Sequence, residues 1–335
     1  MAKTVIPAGY HSPLSLYETQ TAIGEIKNNF SARLCAALNL KRVSAPLFVD
    51  PDTGLNDDLN GVERPVSFDI LATRTSAQIV HSLAKWKRMA LYRYGFQPDA
   101  GLYTDMNAIR RDEEMDNLHS IYVDQWDWEK VITPETRTVA YLKETVQAIV
   151  NAIVDTAEDI KKEYPLIPTT LSREVSFVTT QELEDLYPTK TPKERERAYL
   201  AEHKCAFIMQ IGDVLKSGSK HDGRAPDYDD WALNGDIVFW NEILQDAFEI
   251  SSMGIRVDSK SLDEQLTKAG CDDRRRLPFH RALLDGTLPL TIGGGIGQSR
   301  LCMLLLGKAH VGEVQVSIWD SGTIATCNAA KVELL

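Results

Sequence analysis

The residues from Gly293 to Arg300 form a glycine-rich segment that ends in an arginine. The segment follows the apolar run Leu290 to Ile292, which has the pattern of a strand end, and precedes an apolar helical stretch that starts at Leu301. Glycines let a main chain approach a bulky ligand, and a helix N-terminus favours an anionic group. The spacing fits neither the P-loop nor the full dinucleotide pattern, so a plain tight turn explains it as well as a nucleotide site does.

A second candidate joins arginines to an aromatic strand. Arg110 and Arg111 precede an acidic turn, a loop and the run from Leu118 to Glu129, in which Trp126 and Trp128 alternate with charged residues. Such a hairpin could hold a nucleotide between a guanidinium group and an aromatic ring. An edge hairpin that packs its tryptophans is the alternative, and we favour it for the two tryptophans themselves.

Acidic residues form a third cluster between residues 224 and 256. The cluster includes Asp229, Asp230, Asp236 and Glu249. Carboxylates beside ATP are the ligands that Mg²⁺ requires, and the ammonium group of an amino acid requires an anion. A solvated acidic loop followed by a β-hairpin is the alternative, which we favour for Asp230.

Apolar spacing predicts the helices that must position these groups. Helices are predicted from Glu18 to Leu38 and from Glu135 to Glu163. Two more are predicted to start at Thr191-Pro192 and at Ser261, where Glu264 completes a capping box.

Short apolar or alternating runs predict the strands. They cover residues 43–49, 66–70, 119–126, 206–211, 236–240, 247–253 and 314–319. Because loops rather than regular helices separate many of them, we predict an α+β fold with a mainly antiparallel β-sheet flanked by helices. We expect one catalytic domain over residues 1–335, in which the helices near residues 135–205 could form an insertion.

Composition narrows the class of protein. The chain has 335 residues, 43% of them hydrophobic, and a net charge of -11, which argues against nucleic acid as its main partner. Five cysteines form no C-x-x-C pair, so neither a zinc site nor a disulfide framework is indicated. The N-terminal stretch Met1 to Pro7 lacks a signal-peptide pattern, and the longest apolar run is too short to span a bilayer, so we expect a cytoplasmic protein without membrane contact.

The three clusters resemble known families when taken together. An arginine-bearing hairpin, an acidic strand ending near Glu249 and a glycine-rich segment closing with Arg300 are similar to the second and third motifs of class II aminoacyl-tRNA synthetases. The resemblance is closer to the ammonia-dependent aspartate–ammonia ligases, or asparagine synthetases A, and extends from about residue 18 to about residue 320. It is carried by residues 81–88, 122–129, 224–231, 233–236, 248–256 and 293–301.

This resemblance implies a homodimeric class II synthetase-like core that uses ATP and Mg²⁺ to make asparagine from aspartate and ammonia. The implied route is a β-aspartyl adenylate, with release of pyrophosphate and then AMP. Matching positions imply that aspartate contacts Asp57, Ser82, Lys87, Arg110, Gln125, Asp127, Asp229 and Arg300. They imply that ATP or AMP contacts Arg110, Leu118, His119, Asp236, Glu249, Ile250, Ser252, Gly293, Gly294, Gly295, Gly297 and Arg300. The implied metal ligands are Asp236 and Glu249, and the implied catalytic groups are Asp57, Lys87, Arg110, Asp229 and Arg300.

Elementary electrostatics supports such a set. A carboxylate and a polyphosphate repel each other, by about 4 kcal/mol for two unit charges roughly 4 Å apart at an effective dielectric constant near 20. Lys87, Arg110, Arg300 and Mg²⁺ can screen that repulsion.

The sequence also indicates which nitrogen donor the reaction uses. Ammonia is mostly ammonium at neutral pH, so a carboxylate is needed to attract it and accept a proton, and Asp57 or Asp229 could serve. Glutamine-using enzymes need a nucleophilic cysteine, whereas Cys35 lies in a helical stretch where a core role fits better. We therefore expect free ammonia as the donor.

Alternative functions remain open. An aspartyl- or asparaginyl-tRNA synthetase core would share the adenylate chemistry but should carry an anticodon-binding domain and a more basic face. A non-catalytic synthetase-like binding protein would not need the whole residue set. The sequence also leaves open whether residues 216–224 form a lid or a turn, and whether Lys85 or Lys87 points toward the ligand.

Overall fold

The computed structural model of this protein describes residues 4–57, 59 and 63–335. Met1 to Lys3, part of the stretch on which the expectation of no signal peptide rests, lie outside the described residues. The helices are α1 (Leu16–Leu38), α2 (Ala84–Arg93), α3 (Val139–Glu163), α4 (Thr180–Leu186), α5 (Pro192–His203), α6 (Ser259–Lys268), α7 (Pro278–Leu284), α8 (Gln298–Leu305) and α9 (Ser321–Ala329). The strands are β1 (Leu40–Arg42), β2 (Phe48–Val49), β3 (Ser67–Ile70), β4 (Thr75–Ile79), β5 (Gly101–Ile109), β6 (Tyr122–Val131), β7 (Ser176–Thr179), β8 (Cys205–Met209), β9 (Asp229–Asn241), β10 (Asp246–Arg256) and β11 (Thr291–Gly297).

An eight-stranded sheet organises the chain, in the order β1-β5-β6-β11-β10-β9-β8-β7. Its five inner pairings are antiparallel. The two outer pairings, β1 with β5 and β7 with β8, are parallel. A smaller antiparallel sheet has the order β2-β4-β3. The α+β fold with a mainly antiparallel sheet flanked by helices is confirmed.

One face of the large sheet packs on α1, α3 and α8. Trp126 and Trp128 of β6 are 1% and 0% exposed on this face, and the Phe30 ring of α1 lies 4.8 Å from the Trp126 ring. Burial of such a side chain stabilises the fold by about 1.5–3 kcal/mol. The tryptophans therefore have the packing role that the sequence favoured for them.

Capping residues set the helix boundaries. Thr191 caps α5 by accepting a hydrogen bond from the Glu194 amide, as expected. The predicted start of α6 is wrong, because Asp258 caps the helix and closes its capping box with Ser261. The predicted start of α3 at residue 135 is early, because residues 134–136 form a 3-10 turn before the helix begins at Val139.

Some strand predictions are wrong for physical reasons. Residues 314–319 form no strand, and Val316 and Ile318 are 70% and 75% exposed, so their alternation faces solvent. Of residues 43–49, the structure places Phe48–Val49 in a strand. The acidic run at 229–235 begins β9 instead of a solvated loop, and Asp230 is 7% exposed with Arg137 donating to it at 2.5 Å.

The helices that were considered as an insertion lie in two places. Helix α3 packs against α1, and its Ile149 and Ile153 belong to the main core. Helices α4 and α5 cover the β7–β8 end of the sheet around a smaller apolar cluster that includes Leu183 and Leu200. The single-domain assignment stays a prediction. Within the described ranges, no helix is both long and apolar enough to cross a membrane.

Candidate active site

The face of the sheet opposite the tryptophans is polar. Successive side chains of a strand point to opposite faces, so Gln125, Asp127 and Glu129 of β6 share the face that Trp126 and Trp128 avoid. Gln125 and Asp127 are among the site residues predicted from the sequence, and Glu129 is not. The same two-residue spacing was the signal that could have found it.

The glycines of the glycine-rich segment lie inside a strand. β11 pairs with β6 on one side and β10 on the other, with Gly293, Gly295 and Gly297 opposite Glu129, Asp127 and Gln125. A Cβ atom at Gly293 would collide with the Glu129 carboxylate, and one at Gly295 would lie 2.6 Å from Asp127 Oδ1. The plain tight turn, one of the two alternatives for this segment, is therefore wrong: the glycines leave room for the β6 side chains, and α8 begins directly after them at Gln298.

Lys87 reaches this polar face from α2. Its Nζ donates to the Gly294 carbonyl at 3.0 Å and lies 3.4 Å from Asp127 Oδ2 and 4.0 Å from Glu129 Oε2. Burial lowers the pKa of Lys87, and Asp127 and Glu129 oppose that effect. The structure thus answers the question about two lysines, since Lys87 points to the cavity and Lys85 pairs elsewhere with Asp227.

Arg256 connects two buried carboxylates. It donates through Nη2 to Glu129 at 2.8 Å and through Nη1 to Asp229 at 2.5 Å. Burial by itself raises the pKa of Glu129, but Arg256 and Lys87 outweigh it and hold the pKa below its usual value. Arg256 was not among the predicted site residues, because its partner Glu129 is 127 positions away in the chain.

Asp57 is a buried carboxylate with neutral partners. It is 2% exposed, accepts hydrogen bonds at 2.8 Å from both Ser82 Oγ and the Leu59 amide, and lines the same cavity. Burial raises its pKa, and the charge of Lys85 is the strongest opposing influence.

Two predicted arginines flank another part of the cavity. Arg300 of α8 donates to the Glu249 carbonyl at 3.2 Å and lies 3.7 Å from its carboxylate. Arg110 follows β5 and donates weakly to the His81 carbonyl at 3.5 Å. Its Nε atom is buried without a hydrogen-bond partner among the described residues. Both guanidinium groups therefore retain donors for an anionic ligand.

His119 lies on the loop between β5 and β6. Its Nδ1 contacts the Asp116 carboxylate at 2.9 Å. Burial alone would raise the pKa of Asp116, but His119 and two backbone amides outweigh it and lower the pKa to about 2. The ring is thus held in place at the cavity wall.

Arg224 closes the segment for which a lid or a turn was considered. It donates to Asp236 Oδ1 at 2.6 Å and to Ser252 Oγ at 2.7 Å. The segment contains a tight turn in which the Leu215 amide donates to the Ser219 carbonyl. Motion of the segment stays a prediction. Arg224 itself was overlooked, although it opens the acidic cluster seen in the sequence.

Asp236 and Glu249 interact electrostatically. Burial raises the pKa of Asp236, Arg224 opposes it and Glu249 adds to it, with a result of about 6. Among the described residues no three potential metal ligands gather, so these two carboxylates would need ligands from the substrate. Mg²⁺ is commonly held by one or two carboxylates together with substrate phosphates, so the pair fits this ion.

Most of these groups line one cavity of about 720 Å³, a size suited to small-molecule ligands. Asp236 and Gly293 are not part of its wall, although Asp236 contacts the wall residues Arg224 and Ser252. The other predicted site residues line it: Asp57, Ser82, Lys87, Arg110, Leu118, His119, Gln125, Asp127, Asp229, Glu249, Ile250, Ser252, Gly294, Gly295, Gly297 and Arg300.

Solved structures share this fold. The Pyrococcus horikoshii asparaginyl-tRNA synthetase complexed with asparaginyl-adenylate matches with a TM-score of 0.64 at 16% identity, over 89% of this chain and 68% of that chain. The Entamoeba histolytica asparaginyl-tRNA synthetase matches with a TM-score of 0.61 at 13% identity, over 90% and 67%. The fold is that of the class II aminoacyl-tRNA synthetases, and the chain spans about two thirds of the length of these two.

Sequence similarity defines the family more narrowly than the fold does. The family model for aspartate–ammonia ligase matches residues 17–331. An aspartate–ammonia ligase of Ruminiclostridium cellulolyticum is 59% identical over 100% of both chains, and one of Clostridium tetani is 60% identical over 99% of this chain and 98% of its own. The chain belongs to the aspartate–ammonia ligase family and is an enzyme.

Proposed function

We propose that this enzyme makes asparagine from aspartate and ammonia with ATP, through a β-aspartyl adenylate. The main support is that one cavity holds both a buried lysine–carboxylate group and two arginines with free donors. Such a site can bring a carboxylate and a polyphosphate together. The names of the relatives describe a reaction of the same two substrates, aspartate and ammonia.

The aspartate substrate lies over the polar face in this proposal. Its carboxylates face Lys87 and Arg110, and its ammonium group faces Asp127, Asp229 and the Gln125 amide. Ser82 borders the same region. Arg256 is already shared between Glu129 and Asp229, so we assign it to holding those carboxylates in position.

ATP lies along Arg110, Arg300 and the backbone at Gly294, Gly295 and Gly297. The wall residues Leu118, His119, Ile250 and Ser252 border its AMP portion. Mg²⁺ held by the phosphates together with Asp236 and Glu249 would neutralise charge on the departing pyrophosphate. It would compete with Arg224 for Asp236, because that guanidinium now occupies the carboxylate.

The reaction has two transfers. An oxygen of the β-carboxylate attacks the α-phosphorus of ATP, and the bond from that phosphorus to pyrophosphate breaks. The ammonia nitrogen then attacks the acyl carbon, and AMP departs with the bonding electrons. Lys87, Arg110 and Arg300 stabilise the charge that develops in the first step.

Asp57 is the stronger candidate for the nitrogen step. A proton acceptor must be free and must have a pKa closer to neutral than that of an ordinary carboxylate. Asp229 is ion-paired with Arg256 at 2.5 Å, whereas the hydrogen-bond donors to Asp57 are neutral and burial raises its pKa. We therefore assign capture and deprotonation of ammonium to Asp57.

The test is to incubate the purified protein with ATP, Mg²⁺, aspartate and ammonium, without tRNA, and to measure products. We expect asparagine, AMP and pyrophosphate in equal amounts. Absence of asparagine would overturn the proposal, and ADP in place of AMP would overturn the adenylate route. Transfer of aspartate or asparagine to added tRNA would support the synthetase alternative instead.

Assembly and location belong to the same proposal. We propose a cytoplasmic homodimer built from one catalytic domain per chain, with the dimer taken from the family resemblance seen in the sequence. Sedimentation velocity at several protein concentrations tests the dimer, and a mass of one chain at all concentrations would contradict it.

A further inference from the structure

The helix that carries Arg300 begins without a cap from its own N-terminal residue. Strand β11 ends at Gly297, which is the N-cap position of α8 and has no side chain to accept an amide hydrogen. A Cβ atom at Gly297 would lie 3.1 Å from Arg300 Cβ, so glycine suits this junction. Amides in the first turn of a helix have no partner within the helix. The first turn of α8 therefore depends on another part of the chain for its cap.

Asp124 of β6 provides this cap, from 175 positions away in the chain. Its Oδ1 accepts the Ser299 amide hydrogen at 3.0 Å, and its Oδ2 accepts the Ser299 hydroxyl hydrogen at 2.8 Å. Gln315 donates to Ser299 Oγ at 3.0 Å, and the Lys27 ammonium group lies 3.5 Å from Asp124 Oδ2. Asp124 is 7% exposed, and a carboxylate at this end of a helix is also favoured by the helix dipole.

The strand register explains why Asp124 can reach α8. The pairing of β11 with β6 ends where Gly297 lies opposite Gln125, and Asp124 is the next residue of β6 beyond that pair. Successive side chains of a strand alternate between faces, so Asp124 points to the face on which α8 packs, whereas Gln125 points to the aspartate region. The Asp124 side chain thus continues the connection between β6 and the chain after β11.

We infer that Asp124 is a positioning residue, which fixes the first turn of α8 so that the Arg300 guanidinium group faces ATP. Arg300 directly follows Ser299, and both residues line the cavity together with Asp124. This inference rests on the proposed function, in which ATP lies along Arg300. Displacement of a contacting group by about 1 Å can cost about 10²-fold in rate, so the position of this turn matters for catalysis.

Asp124→Ala tests the inference, with Asp320→Ala as a matched control. We expect Asp124→Ala to lower kcat/KM for ATP by about 10–100-fold. The KM for aspartate should stay within about twofold of wild type, because the aspartate-facing side chains of β6 lie on the other face. Asp320 accepts two amide hydrogens and a hydroxyl hydrogen at the start of α9, a helix that adds no described residue to the cavity wall. Asp320→Ala should therefore leave both constants unchanged.

A double-mutant cycle distinguishes positioning from direct contact with the ligand. If Asp124 acts through Arg300, adding Asp124→Ala to Arg300→Ala should change kcat/KM for ATP by no more than about twofold, because the two effects are not additive. A direct contact between Asp124 and the ligand predicts the same loss in both backgrounds, and that result would overturn the inference. Aspartate-dependent exchange of labelled pyrophosphate into ATP is the readout for all four proteins.

The conservative variant Asp124→Asn should recover most of the lost kcat/KM for ATP. Its side-chain amide can accept the Ser299 amide hydrogen and donate to the Ser299 hydroxyl group. Ser299→Ala should lower the same constant, and it replaces Asp124→Ala if circular dichroism shows that Asp124→Ala does not fold. An unchanged kcat/KM for ATP, or an equal loss in Asp320→Ala, would contradict the inference. A wild-type enzyme that makes no asparagine would instead overturn the proposed function.

Discussion

Arg256 and Arg300 both border the cavity, yet their surroundings differ. Arg256 is 3% exposed and its donors are taken by Glu129 and Asp229. The side chain of Arg300 is 21% exposed and contacts Glu249. Arg256 thus makes its hydrogen bonds within the protein, whereas Arg300 has donors available for a phosphate.

Replacement of Arg300 should therefore affect catalysis and not folding. We expect Arg300→Ala to lower kcat by about 10²–10³-fold, the usual effect of losing one preorganised donor to developing charge. The free energy of unfolding should change by no more than about 0.5 kcal/mol. Steady-state kinetics and urea unfolding measure the two effects. A variant with wild-type kcat would remove Arg300 from the proposed site.

Replacement of Arg256 should instead destabilise the fold. Arg256→Met leaves Glu129 and Asp229 as buried anions without their shared cation, which should lower the free energy of unfolding by about 3–5 kcal/mol. Urea unfolding measures this loss, with Arg93→Met as the control for removing an arginine at an exposed position. A loss below about 1 kcal/mol would mean that the two carboxylates are stabilised in another way.

A residue such as Arg300 can be predicted from the sequence more easily than a residue such as Arg256. Arg300 ends a recognisable segment, so its type and place in the chain suggested a ligand contact. Glu129 and Arg256 meet across β11, and the register that joins them depends on strands formed by distant parts of the chain. Spacing along a sequence does not give that register.

At the scale of an element, the glycine-bearing strand β11 also could not be predicted from local sequence. Glycine is depleted in strands, so local preference indicated a turn. The tertiary structure overrides this preference because Gln125, Asp127 and Glu129 occupy the space that side chains on β11 would fill. The opposite error at residues 314–319 has a related cause, since an alternating pattern without a neighbouring strand makes no sheet.

A methyl group on this strand should disturb the site directly. In Gly295→Ala the new Cβ would lie 2.6 Å from Asp127 Oδ1, so Asp127 and Gln125 must move. We expect the KM for aspartate to rise about tenfold or more and stability to fall by about 1–3 kcal/mol.

The control for this change is Gly24→Ala. Gly24 is exposed on α1, and a Cβ there meets nothing within 4 Å. This substitution should stabilise the helix by about 0.5–1 kcal/mol and leave kinetics unchanged. Wild-type aspartate binding in Gly295→Ala would contradict the space-filling explanation of the glycines.

Contacts between the two ends of the chain act on the whole molecule. Thr4 Oγ1 lies 2.9 Å from Thr323 Oγ1 and 3.4 Å from His310 Nε2, and Tyr10 donates to Glu313 at 2.9 Å. His310 is fully buried, and its Nδ1 accepts the Gly312 amide hydrogen at 3.0 Å. A protonated ring could not accept that hydrogen bond.

Acid should therefore destabilise the protein through His310. Burial lowers its pKa from 6.5 to about 4, so between these values the unfolded chain binds a proton that the folded chain does not. Stability due to this group is complete above pH 6.5 and falls as the pH falls toward 4, by up to about 3 kcal/mol.

This dependence is measured by the free energy of unfolding at several pH values between about 7.5 and 4.5. Histidine side chains ordinarily titrate within this range. His310→Gln should flatten the curve relative to wild type. His11→Gln, at an exposed position in the N-terminal segment, should leave the slope unchanged. Equal slopes for wild type and His310→Gln would contradict the prediction.

The order of strands in the large sheet also has a consequence for synthesis on the ribosome. β11 joins β1-β5-β6 to β10-β9-β8-β7, and it is the last strand of the described chain. Until β11 is synthesised, the facing edges of β6 and β10 have unpaired backbone groups, for on the order of ten seconds at β6 and a few seconds at β10, at about 5–20 residues per second. A nascent chain that stalls before Thr291 would present two open strand edges. Pairing of β11 with β6 and β10 therefore also protects the chain from aggregation.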